Sequence, residues 1–131
     1  MRTLLLIACS FLAALGCQAQ NPASTVVYQN GDYGYACFRI PALVRAADGS
    51  LLAFAEARRD GTADRGDIDL VVRRSADEGR TWGEMTVVWD DAGNTCGNPA
   101  PVLVRETGRI VLLACWNSGP DHERDIEAGN A

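Results

Sequence analysis

The chain has 131 residues, of which 47% are hydrophobic and 22% charged, a balance that excludes a disordered polymer or a bundle of membrane spans. Net charge is −5, every basic side chain apart from the single histidine is an arginine, and no run of like charge occurs, so nucleic acid is excluded as the expected partner. Such a surface repels anions weakly, and an anionic ligand would therefore need a local cluster of guanidinium groups.

In chain order, residues 1–19 read as an export leader: Arg2, an apolar run from Leu4 to Leu15 too short to span a bilayer comfortably, then small residues. Two processing routes stay open. One is cleavage after Ala19. The other is a lipid anchor at Cys17, because Leu15-Gly16-Cys17 resembles part of a bacterial lipobox, although Ala14 stands where leucine is usual. The expected location is periplasmic, outer-membrane lipoprotein or secreted, with no membrane span. Past the leader only Cys37, Cys96 and Cys115 remain, at spacings that match no zinc or redox motif. They read as small buried hydrophobes, with room for one disulfide. No metal is expected.

A polar linker over 20–25 leads into one folded region over 26–131. Short aliphatic and β-branched runs predict strands over 26–28, 38–45, 50–56, 68–75, 86–89, 100–105 and 109–116, and no stretch has helical period. Asp48-Gly49 and Thr107-Gly108 lie between apolar runs and predict two tight antiparallel hairpins. The class is all-β. Trp82 and Trp89 are expected in the core, and His122, the only histidine, in a solvated loop with no nucleophile presented to it.

The sharpest local pattern is Ser75-Ala76-Asp77-Glu78-Gly79-Arg80-Thr81-Trp82, of the form S-x-D-x-G-x-T-W. The Asp77 carboxylate and Ser75 hydroxyl can accept bonds from turn amides, Gly79 can take a left-handed conformation, and Trp82 can pack between strands. This segment resembles the Asp box of sialidase-type β-propellers, which fixes a fold rather than a chemistry. Phe38-Arg39-Ile40-Pro41, upstream of it, resembles the motif that opens the sialidase catalytic domain. The resemblance implies a six-bladed β-propeller, of which this chain holds about the first blade and part of the second.

What the resemblance implies about chemistry is an exo-α-sialidase that hydrolyses terminal α-linked sialic acids from glycoproteins, glycolipids and oligosaccharides with retention. Sialylated glycans would be the partners, with no metal or organic cofactor. Arg39 becomes one of three arginines that clamp the substrate carboxylate, a task suited to a planar bidentate donor. Read without the resemblance, Arg39 is an ordinary strand arginine paired with an acid. Arg58 is implied as a substrate contact and Asp64, six residues on, as the acid/base. Asp60, Asp67 and Asp69 compete with Asp64: Asp60 is placed to pair with Arg58 or Arg59, and Asp67 and Asp69 lead into the next strand. The EF-hand ligand order is absent from this cluster.

Asn98, in Gly97-Asn98-Pro99, is a candidate binder or a plain Asn-Pro turn, and Trp116 a candidate wall for the N-acetyl pocket or a core residue. The family's tyrosine nucleophile, its glutamate partner and two further arginines lie far downstream in the family layout, whereas Tyr28, Tyr33 and Tyr35 all precede Arg39. The chain alone is accordingly expected to be inactive. A non-catalytic Asp-box propeller that binds carbohydrate or protein is the alternative.

Overall fold

The computed structural model describes Ser24 to Ala131. The expected leader, Cys17 and most of the linker lie outside the described residues. Six strands, β1 (Cys37–Arg45), β2 (Leu51–Arg58), β3 (Ile68–Ser75), β4 (Thr86–Trp89), β5 (Thr95–Val104) and β6 (Arg109–Asn117), are followed by a one-turn helix, α1 (Glu123–Glu127). The antiparallel meander β1-β2-β3-β4 is one propeller blade, and β5-β6 is the opening hairpin of the next. The two join where β5 starts beside β3 in a short parallel contact, Ile68 against Thr95. From there β5 runs against β1 and β2.

The two Gly-containing hairpins form as expected, with Gly49 and Gly108 at positive φ. β3 and β4 occupy the expected residues. The expected strand over 26–28 does not form: Tyr28 instead donates its hydroxyl to Ala53 O at 2.6 Å, and Arg73 ties down Val27 O at 2.7 Å. A segment held by side-chain bonds needs no ladder. β5 begins five residues before the expected 100, because a bulge lets the polar Thr95–Asn98 stretch pair with β6. The helix over Glu123–Glu127 was not expected; His122 caps it, its ring nitrogen accepting from the Arg124 amide at 3.4 Å.

β2 is buried from Ala53 to Arg58 with no alternation, which marks a strand covered on both faces. Its odd positions, Ala55 and Ala57, pack with Tyr35 and Val71 under Tyr28, Phe38 and Met85. Small side chains there let the aromatic residues approach closely. Its even positions, Phe54, Glu56 and Arg58, face the other way, towards β5. Trp89 is 37% exposed rather than core, because β4 is the outer strand of the blade, and Trp82 is half-buried beside Gly79. Cys37 and Cys96 are buried and Cys115 exposed, all three as free thiols.

Candidate active site

The Ser75–Trp82 turn joins β3 to β4. Ser75 Oγ accepts from the Gly79 amide at 2.8 Å, Asp77 Oδ1 from the Thr81 amide at 2.9 Å, and Asp77 Oδ2 from the Thr81 hydroxyl at 2.6 Å. Glu78 and Gly79 both stand at positive φ. Bonds from Thr81 and Ser75 hold the Asp77 carboxyl down at about 2. Because Ser75 pairs with Leu51 and Ile68 with Arg58, this turn lies at one end of the blade and Arg58 at the other, about 25 Å apart along β3.

At the Arg58 end, three of the sequence-predicted residues converge. Arg39 Nη1 lies 2.9 Å and Arg58 Nη2 2.7 Å from the same oxygen, Asp64 Oδ1. Arg58 is buried at 2% exposure, whereas the Asp64 side chain is 75% exposed, so the carboxylate stands at the mouth of the site on a guanidinium anchored below it. The Arg58 hydrogen bond and the charges of Arg58 and Arg39 pull the Asp64 carboxyl below the usual range. Arg39 and Arg58 each also donate to Thr62 O, which pins the loop that carries Asp64.

Beside them opens a cleft of about 440 Å³ lined by Arg58, Asp64, Ile40, Asn98, Asn117 and the acidic helix α1 among others. Ile40 and Asn98 arrive there by the same device. Each precedes a proline, each stands at positive φ (51° and 54°), and each sits where its strand slips register, in β1 between Arg39 and Ala42 and in β5 between Gly97 and Ala100. A β-branched residue in that region is strained, and strain of about 1–3 kcal/mol persists only where the surroundings impose it. The bulges turn both residues off their ladders into the cleft.

Trp116 does not reach the cleft. Its strand neighbours Cys115 and Asn117 line it, so Trp116 points to the opposite face, where the indole N–H donates to Asp91 Oδ2 at 2.7 Å. Of the competing acids, Asp67 and Asp69 are the partners of Arg59, at 3.2 and 3.0 Å, and Asp60 is exposed. Asp69 is fully buried and also accepts from the Tyr35 hydroxyl at 2.5 Å. Burial pushes the Tyr35 and Tyr28 hydroxyls well above their ordinary values, so neither is a ready nucleophile.

Sequence reasoning missed Glu56. It is 3% exposed, and its Oε2 accepts from Arg58 Nε at 3.0 Å and Nη2 at 2.5 Å. The available signal was the spacing Glu56-x-Arg58 within a strand, which places both charges on one face. It also missed Asn117 and the acidic wall of α1, which topology alone brings in.

No family model matches the chain. It is 36% identical over 103 residues to a sialidase of Paraclostridium sordellii, covering 74% of this chain and 26% of that protein. Over 90 residues it is 42% identical to an exo-alpha-sialidase of Aspergillus fumigatus, covering 64% of this chain and 22% of that protein. Among solved structures, a Hadza microbial sialidase superposes with a TM-score of 0.64 at 33% identity, over 70% of this chain and 20% of that one. The chain thus spans about a quarter or less of the length of these relatives.

Proposed function

Because this chain is a segment of the sialidase family, we propose that it supplies the acid/base half of an exo-α-sialidase site that removes terminal α-linked sialic acid from glycoconjugates. The observation that carries the reading is the convergence of Arg39 and Arg58 on one carboxylate oxygen of Asp64 at the rim of a cleft.

In this reading Asp64 is the carboxylate that a substrate carboxylate competes with for Arg39. A substrate carboxylate binds Arg39, draws that guanidinium away from Asp64 and adds a negative charge nearby. Both changes raise the Asp64 carboxyl from its depressed value and so favour its protonated form. Protonated Asp64 then donates to the glycosidic oxygen as the bond to the anomeric carbon breaks, and as a carboxylate it later takes a proton from the attacking water. A tyrosine nucleophile forms the covalent intermediate and gives retention. None of Tyr28, Tyr33 and Tyr35 lines the cleft, so the proposal assigns the nucleophile to the rest of the catalytic domain. Asn98 contacts a ring substituent from the cleft wall. The apolar leader supports export, with the sialylated glycans outside the cytoplasm.

The test is hydrolysis of a fluorogenic α-sialoside. The full-length protein is expected to release the fluorophore with retention, seen by NMR of the first-formed anomer, and the 131-residue chain alone to release none. A full-length protein that binds sialosides without cleaving them would establish the non-catalytic alternative and overturn this one.

A further inference from the structure

Arg58 is unusual in having almost nothing left to offer a ligand. A guanidinium carries five N–H donors. Nε and one Nη2 donor go to Glu56 Oε2, and the two Nη1 donors go to Thr62 O at 2.7 Å and Ala63 O at 2.8 Å. The remaining Nη2 donor faces Asp64. A ligand can therefore reach Arg58 through one direction only, and that direction is set by how Glu56 holds the group.

Glu56 reaches further. Its second oxygen, Oε1, accepts from the backbone N–H of Asn98 at 2.8 Å, across the gap from β2 of one blade to the bulge in β5 of the next. A Cβ on Gly97 would come within 2.8 Å of that oxygen, so glycine is what lets the peptide close on the carboxylate. One buried carboxylate thus joins the guanidinium that anchors Asp64 to the strained peptide that turns Asn98 into the cleft. Charge-assisted bonds in a dry site are short and directional, and such a group fixes geometry more firmly than surface contacts can.

We infer that Glu56 is a positioning residue for the sialoside site: with Gly97 as its seat, it sets the one free direction of Arg58 and the placement of Asn98, and so determines substrate affinity. The inference rests on the sialidase reading of the same cleft. Glu56 lines the cleft, but both of its oxygens are taken up, one by Arg58 and the other by the Asn98 amide, so it acts through those two groups. Its negative charge also balances Arg58, which otherwise would draw harder on Asp64.

Two variants of the full-length protein test this. Glu56→Gln is expected to raise KM for a fluorogenic sialoside at least about tenfold, with kcat changed less than about threefold. Loss of the charge should also move the alkaline limb of the pH profile to lower pH, because Arg58 then stabilises ionised Asp64 more. Gly97→Ala displaces the carboxylate but keeps its charge beside Arg58, and so carries the test if Glu56→Gln does not fold; KM should rise while the limb stays in place. Product sialic acid should bind both variants more weakly by the same factor as the KM change. An active wild type whose variants keep KM and the pH limb, with only melting temperature lowered, would leave Glu56 a structural residue and overturn the inference. A wild type with no hydrolysis at all would instead overturn the sialidase reading on which it rests.

Discussion

The two ends of the first blade are built on different length scales. At the Ser75–Trp82 turn, most of the bonds that shape the backbone join residues two to four positions apart, such as Ser75 to Gly79 and Asp77 to Thr81, and Thr25 only braces the finished turn from outside at Gly79 O. At the Arg58 end, Arg39 reaches Asp64 25 positions away and Glu56 reaches Asn98 42 positions away. Local bonds make a turn that stiffens the blade. Long-range bonds make a cleft, because only they can hold side chains from several strands around a space large enough for a ligand.

Matched substitutions at the two ends put this contrast to the test. The largest effect is expected for Asp64→Asn in the full-length protein, where sialoside hydrolysis should fall about 10²–10⁴-fold as the acid/base is lost, with melting temperature almost unchanged for so exposed a side chain. Asp77→Asn, the matched change at the turn, should do the reverse: it should lower the melting temperature and leave kcat and KM within about twofold. Equal activity losses in the two variants would erase the distinction.

Arg58→Met tests how far the cleft end also carries stability. Removing the guanidinium leaves Glu56 buried without its partner, and chemical denaturation of the full-length protein should show a loss of roughly 3–5 kcal/mol. The double variant Glu56→Leu, Arg58→Met should recover part of that loss while remaining defective in substrate binding.

The smallest effect is the acid limb of stability. Asp77 is depressed in the folded chain to about 2, from 3.8, by the Thr81 hydroxyl, the Thr81 amide and Ser75. A depressed carboxyl stabilises the fold above its unfolded value and loses that contribution as pH falls through the folded one. The difference in melting temperature between wild type and Asp77→Asn should therefore be constant above about pH 5 and shrink steadily between about pH 4 and pH 2. A difference that persists at pH 2 would mean that the turn is held by hydrogen bonds indifferent to the charge.

Much of the fold was legible because its signals are local. The hairpins at Gly49 and Gly108 and the strands β3 and β4 follow from turn residues and apolar runs within a few positions. The failures share a cause. Residues 26–28 look like a strand, but Tyr28 and Val27 are used by distant Ala53 and Arg73. Residues 95–99 look like a loop, but pairing with β6 draws them into β5 through a bulge. Trp116 sits at a strand end where either face was open, and the pleat sends it away from the cleft.

The all-β class, the positions of the turns and the candidate arginines and aspartates could be read from residue order, since turn chemistry and alternation act over a few residues. That Asp64 bridges Arg39 and Arg58, that Asp67 and Asp69 belong to Arg59, and that Glu56 links one blade to the next emerged from the folded chain. The reason is physical: which charge meets which depends on strand register and on two strained X-Pro bulges, and these are set by packing between segments far apart in the chain.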